Sequence, residues 1–185
     1  MLNLPNILTI SRIAILPVIM VLLIGEPDWG EVAVWLAFAL YALACITDFL
    51  DGWLARKLNQ KTDLGTFLDP ISDKIFIAAL FLIMAVSGRI FGVWAIAAVL
   101  ILAREFMVSG LREYLGPRNI QLPVTALAKW KTTSQMLATG FLMIGPYIPG
   151  DEWPGRALLI IAMVVTLITG WGYIKAGLDH MRKMP

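Results

Sequence analysis

Four carboxylates raise the first chemical question. Asp48 and Asp51 close one apolar segment and Asp69 and Asp73 open the next, within the stretch DFLDGWLARKLNQKTDLGTFLDPISD. On a helix turning about 100° per residue, positions three or four apart share a face, so the members of each pair point the same way. Like charges so placed repel, and two such pairs set against each other need cations between them. With oxygen ligands and no His or Cys in the set, those cations are Mg²⁺, Mn²⁺ or Ca²⁺ rather than zinc. Gly52 and Gly65 flank the pairs, where a missing side chain lets a ligand reach the backbone. Arg56 is placed to meet a phosphate.

The elements that must hold these groups are apolar helices. The chain has 185 residues, 59% hydrophobic and 15% charged, with a mean hydropathy of +0.78, far more apolar than a soluble domain requires. Six runs, at 6–24, 32–50, 67–86, 92–114, 126–147 and 157–176, match the roughly 20 apolar residues that cross a ~30 Å hydrocarbon core as helix. They are continuous and lack period-two alternation, which favours helices over a barrel. Turn residues punctuate them: Gly25, Pro27 and Gly30; Ser87 and Gly88; Pro146, Pro149, Gly150, Pro154 and Gly155. Pro17 falls inside the first run, where a bundle tolerates it. No internal repeat or long linker divides the chain, so the expectation is an all-α integral membrane protein of six transmembrane helices, one domain over 1–185. The opening MLNLPNILTISR lacks a basic n-region and a small-residue cleavage site, so the first run is expected to be retained.

Charge placement orients this multi-pass arrangement. An even number of spans puts both termini on one side, and the loops and tail there carry Arg56, Lys57, Lys61, Arg118, Lys175, Arg182 and Lys183. The opposite loops hold Arg89 and Arg156 beside Glu26, Asp28, Glu31, Asp151 and Glu152. The basic excess places both termini in the cytoplasm. Charges that invade the apolar runs all enter from that side: Arg12, Asp48, Asp69, Asp73, Lys74, Arg104, Glu105, Arg112, Glu113, Lys129 and Lys131. A conducting pore or transporter would carry polar groups through the whole thickness, so the pattern predicts a polar cavity open to the cytoplasm alone. The lone Cys45 reads as a small buried residue and His180 as part of a solvated basic tail.

The spacing D-x2-D-G-x2-A-R-x8-G-x3-D-x3-D, spelled by Asp48, Asp51, Gly52, Ala55, Arg56, Gly65, Asp69 and Asp73, resembles the signature of the CDP-alcohol phosphotransferases. The resemblance implies a six-helix membrane enzyme, usually a homodimer, with two divalent ions held by Asp48, Asp51, Asp69 and Asp73. It further implies that Asp73 also serves as base on the attacking hydroxyl, and that Gly52, Ala55, Arg56 and Gly65 line the CDP site. Such enzymes displace CMP from a CDP-linked lipid or alcohol with a second alcohol. Two cations, Mg²⁺ or Mn²⁺, would orient the diphosphate and neutralise charge on the departing CMP, while a carboxylate accepts the proton.

The acceptor must be read from the remaining charges. Helical angles set Glu105 and Arg112 nearly on one face, with Arg104 about 80° from Arg112, so both arginines can border one cavity. Lys129 and Lys131 lie about 200° apart, so only one of them faces inward. Several cations beyond the metal site imply a second anionic site, suited to an acceptor that bears its own phosphate. The segments ILAREFMVSGLREYLG and LAKWKTTSQ are similar to those of the bacterial phosphatidylglycerophosphate synthases within the family, although Ala128 stands where their pattern has glycine. The likeness runs from LPNILTISR through the fifth run and is weak in the sixth. It implies CDP-diacylglycerol and sn-glycerol 3-phosphate as substrates and the bacterial inner membrane, with the active site facing the cytoplasm. Arg104, Arg112 and Lys131 are the leading candidates for the acceptor phosphate, followed by Lys129 and Arg118. Inositol phosphate, serine or a lipid alcohol are the alternative acceptors; no nucleic acid is expected among the partners. Asn6, Thr9 and Arg12 are placed to border the nucleotide, with Asn6 and Thr9 equally readable as helix-start residues.

Overall fold

A computed structural model describes residues 4–58, 63–116, 126–150 and 153–182. The described residues are helical with short turns. The helices are α1 (Leu4–Ile24), the single turn α2 (Glu26–Trp29), α3 (Glu31–Leu58), α4 (Asp63–Val86), α5 (Val93–Leu115), α6 (Ala126–Ile144) and α7 (Trp153–Arg182). A 3₁₀ turn at Gly145–Tyr147 follows α6. The long helices cover the expected runs closely and overrun three of them: α3 continues to Leu58, α4 starts at Asp63 and α7 runs from Trp153 to Arg182. The carboxylate pairs ride on helical backbone, as their shared faces require.

Among the described residues, four helical stretches are long and apolar enough to cross a membrane: Asn6–Ile24, Glu31–Asp48, Val93–Leu115 and Trp153–Leu178. Six were expected. The two that fall short are α4, which carries Asp69, Asp73 and Lys74, and α6, which carries Lys129, Lys131 and Gln135. Side chains suited to chemistry thin out the apolar content of the helices that bear them. The outward faces are nonetheless apolar, with Val32, Leu82, Val86, Val93, Val99 and Trp171 among the most exposed residues. A multi-pass helical membrane protein has this surface.

The helices close a ring. α1 packs between α3 and α4, α7 packs between α5 and α6, and the halves meet where α3 touches α6 and α4 touches α5 and α6. In lipid, burying Leu against Leu yields little hydrophobic gain, so close packing of small residues and interhelical hydrogen bonds must do more of the work. The contact faces fit that demand: Ala37, Ala44, Ala97, Ala98, Ala138 and Ala162 are buried among Ile19, Leu80, Met84, Ile101 and Leu142. The Tyr41 hydroxyl on α3 donates to the Met136 carbonyl of α6 at 2.8 Å.

The end of α4 shows how sequence fixes a tertiary bond. Gly88 adopts φ 74°, the left-handed region that a side chain disfavours. Its N–H bonds the Ala85 carbonyl, while that of Arg89 bonds the Met84 carbonyl. This helix stop turns Arg89 inward, where it is 2% exposed. Its Nε donates to the Met143 carbonyl at 3.0 Å and its Nη2 to Glu26 at 2.6 Å. Tyr147 donates to the other oxygen of Glu26 at 2.9 Å. Arg89, read from sequence as a loop cation, is thus a buried tie between the α1–α2 junction, α4 and the end of α6.

Candidate active site

One face of α1 begins the site. Asn6, Thr9 and Arg12 recur every three residues, so they stack on one stripe, and all three are buried. The Thr9 hydroxyl donates to Asp69 Oδ1 at 3.0 Å. The Arg12 guanidinium reaches Asp48 Oδ1 on α3 at 2.5 Å and Asp73 Oδ1 on α4 at 2.6 Å. A single cation, itself 4% exposed, therefore spans carboxylates from two helices, of which Asp48 is 31% and Asp73 58% exposed. Arg12 belongs to the carboxylate centre.

From Asp48 and Asp73 a cavity of about 120 Å³ extends inward to Lys74, Glu105, Lys131 and Gln135. The Nε2 of Gln135 is buried with no hydrogen-bond partner among the described residues. A larger cavity of about 810 Å³ adjoins the first and shares Asp73, Lys74, Glu105, Lys131 and Thr132 with it. Its far wall carries Arg104, Arg112 and Tyr173. Glu105 and Lys131 pair at the boundary, and Arg104 Nη1 binds the same Glu105 oxygen at 3.2 Å. Lys74 bonds Ser109 and lies 3.7 Å from Glu113. The two chambers share a wall, with Asp48 and Arg12 on the smaller side and Arg104, Arg112 and Glu113 on the larger.

Residues 2–170 match the family model described as CDP-alcohol phosphatidyltransferase. The chain belongs to this family. Curated proteins similar to it include one from Rickettsia bellii (strain RML369-C), 44% identical and aligned over 94% of both chains. Another, from Bacillus subtilis (strain 168), is 34% identical over 98% of each, and a third, from Escherichia coli (strain K12), is 36% identical over 94% of each. All three carry the name "CDP-diacylglycerol--glycerol-3-phosphate 3-phosphatidyltransferase". The likeness thus reaches through most of α7, further than the sequence motifs alone extend.

For a CDP-alcohol phosphatidyltransferase, the expected site residues fall into three groups. Asp48, Asp69 and Asp73 gather along the polar stripe of α1, and Gly65 is buried at the start of α4. Arg104, Arg112 and Lys131 line the larger chamber together. The side chains of Asp51, Ala55, Arg56 and Lys129, the surroundings of Gly52, and the whole of Arg118 lie outside the described residues. No group of three or more acidic, His or Cys side chains stands ready to hold a metal among the described residues. The donor chemistry still fits a hard divalent ion: the set is all carboxylate oxygen, and Asp48 and Asp73 already converge on a cation, the guanidinium of Arg12.

Sequence reasoning missed two contributors. Thr169 accepts a hydrogen bond from Arg104 Nη2 at 3.2 Å. The ring of Tyr173 lies under both arginines, 5.7 Å from the Arg104 Cζ and 5.0 Å from that of Arg112. Both residues sit in an apolar run where a lone threonine or tyrosine reads as packing.

Proposed function

We propose that the protein transfers the phosphatidyl group of CDP-diacylglycerol to sn-glycerol 3-phosphate, releasing phosphatidylglycerol phosphate and CMP. The observation that carries this reading is the shared wall between the two chambers. A carboxylate set suited to cations and a diphosphate adjoins a cation set suited to a second phosphate, with Asp73 common to both. The three relatives are named for this same transfer.

In this mechanism an acceptor hydroxyl attacks the phosphorus that bears the diacylglycerol oxygen. The new P–O bond forms as the bond to the bridging oxygen of CMP breaks, and CMP leaves with that electron pair. The hydroxyl proton passes to Asp73, whose exposure on the chamber suits a base. Asp48, Asp51, Asp69 and Asp73 would hold two divalent ions, Mg²⁺ or Mn²⁺, which when bound supply charge neutralisation at the diphosphate. Arg12 holds Asp48 and Asp73 together at fixed positions, and Thr9 orients Asp69. Gly52, Ala55, Arg56 and Gly65 line the cytidine diphosphate. Arg104, Arg112 and Lys131, with Lys129 and Arg118 in support, take the acceptor phosphate and set its hydroxyl toward Asp73.

The same reading makes the chain one domain whose α4 and α6 cross the membrane together with the four more apolar helices. Both termini and the chambers face the cytoplasm of a bacterial inner membrane, in a homodimer. The test is CMP release by purified protein with Mg²⁺ or Mn²⁺ and CDP-diacylglycerol, each candidate acceptor being offered in turn. Release with glycerol 3-phosphate, abolished by chelation, is expected. Release with inositol phosphate, serine or a lipid alcohol but none with glycerol 3-phosphate would overturn the assignment.

A further inference from the structure

The last helix holds a socket for the acceptor-site arginines. On α7, Thr169, Gly170 and Tyr173 occupy one side of the helix, three to four positions apart or adjacent, and each meets the Arg104 side chain in a different way. The Thr169 hydroxyl donates to its own helix, to Val165 and Thr166 carbonyls at 2.8 and 3.0 Å. Its proton is thereby committed, so the oxygen is left to accept from Arg104 Nη2. At Gly170 an added Cβ would lie 2.7 Å from Arg104 Cγ and 3.1 Å from its Nε, and the nearest atoms it meets are all of Arg104. The stem of Arg104 therefore lies in the groove left by the missing side chain. Tyr173 then places the negative face of its ring under Arg104 and Arg112 together.

We infer that Thr169, Gly170 and Tyr173 of α7 are positioning residues that set the reach of Arg104 and Arg112 toward the acceptor phosphate; this rests on the transfer to glycerol 3-phosphate proposed above. Two like-charged guanidiniums repel, and a shared aromatic ring is a device for holding them on one wall without neutralising either. Tyr173 acts through its ring. It is 5% exposed, and its hydroxyl oxygen is buried with no hydrogen-bond partner among the described residues. That oxygen therefore does not face the chamber that the residue lines. Arg104 keeps its Nε without a partner among the described residues, while its two terminal nitrogens are held by Glu105 and Thr169. Its orientation is fixed jointly by Glu105 and α7. Thr169 and Gly170 lie at the very end of the family-model match, and Tyr173 lies past it.

The experiment compares the full-length protein with Gly170→Ala, Tyr173→Leu and Tyr173→Phe, measuring KM for glycerol 3-phosphate and for CDP-diacylglycerol by CMP release. Gly170→Ala and Tyr173→Leu are expected to raise the glycerol 3-phosphate KM about tenfold or more, with the CDP-diacylglycerol KM changed less than about twofold. Tyr173→Phe, which keeps the ring, is expected to match the parent protein. An equal rise in both KM values, or no change in either, overturns the inference, as does a Tyr173→Phe defect equal to that of Tyr173→Leu. Should Tyr173→Leu fail to fold, Gly170→Ala decides, because its methyl group displaces the Arg104 stem first. Failure of the parent protein itself to use glycerol 3-phosphate strikes the proposed function instead, so the two failures are distinguishable.

Discussion

Glu105 offers the sharpest test of how the shared wall is held. Its Oε2 binds both Lys131 Nζ and Arg104 Nη1. The two cations are 7% and 6% exposed, while the carboxylate side chain is 25% exposed. Removing one partner of a buried ion pair costs about 3–5 kcal/mol, because the survivor stays buried and uncompensated. Glu105 keeps some contact with water, so the low end applies. Glu105→Gln preserves shape and a hydrogen-bonding oxygen yet strands two buried cations, and a loss of about 3 kcal/mol follows. Lys131→Met leaves Glu105 its bond to Arg104, so only about 1 kcal/mol is lost. At about 2–4 °C per kcal/mol for a chain of this size, the thermal midpoint should fall by roughly 6–12 °C for the first variant and roughly 2–4 °C for the second.

The double variant is the deciding measurement. With Glu105 neutral, Lys131 is a stranded charge, so adding Lys131→Met should restore part of what Glu105→Gln removes. Midpoints are read for the four proteins in a single detergent, completing a double-mutant cycle. Additive losses, or a Lys131→Met loss as large as that of Glu105→Gln, would refute the claim that one carboxylate serves both cations. Turnover should be poor in all three variants, because Glu105 and Lys131 both line both chambers, so stability and not activity is the informative quantity.

Three further outcomes are expected. Asp73→Asn should abolish CMP release while shifting the thermal midpoint little, since the carboxylate is 58% exposed and its pairing is largely screened; residual turnover above about a tenth of the parent rate would assign the proton to another group. Arg12→Met should lower kcat about tenfold or more by freeing Asp48 and Asp73 to separate, with little change in the glycerol 3-phosphate KM, and steady-state kinetics at saturating metal would show it. Arg89→Met, at the other end of the bundle, should cost about 3 kcal/mol of stability yet leave both KM values unchanged. A change in either KM there would mean that the two ends are coupled.

Much of the architecture is legible in the chain because the apolar runs are long and their breaks are Gly and Pro. The carboxylate spacing also reads directly, since positions three and four apart share a helix face whatever the packing. What does not read is which helix neighbours which. The stripe Asn6, Thr9 and Arg12 is visible in the sequence, but only the packing of α1 between α3 and α4 turns it toward Asp48, Asp69 and Asp73. Thr169, Gly170 and Tyr173 carry no signal of their own, because each is an ordinary residue in an apolar run until α5 lies against it. The span count illustrates a second limit. Charges that serve a chamber subtract from the hydropathy of the helix bearing them; in α4 and α6 they leave no sufficiently apolar window, whereas α1, α3 and α5 keep one beside theirs.

Two buried arginines, one at the middle of α4 and one just past its end, show why burial alone does not mark a site. Arg12 meets α4 at Asp73, midway along the helix, and Arg89 follows its end, roughly 20 Å further along the axis. Both are almost fully buried and both bind carboxylates at about 2.6 Å. The difference lies in what the partners face. Glu26, bound by Arg89, also accepts from Tyr147 and is 19% exposed, and the Arg89 Nε is taken by a backbone carbonyl. That network closes on itself, and its ligands are all protein. Asp48 and Asp73, bound by Arg12, line a cavity and are much more open. Carboxylates pinned from behind by a buried cation and open in front hold their geometry without spending all their lone pairs. A charge network with such an open side can do chemistry, whereas the closed one at Arg89 can only hold helices together.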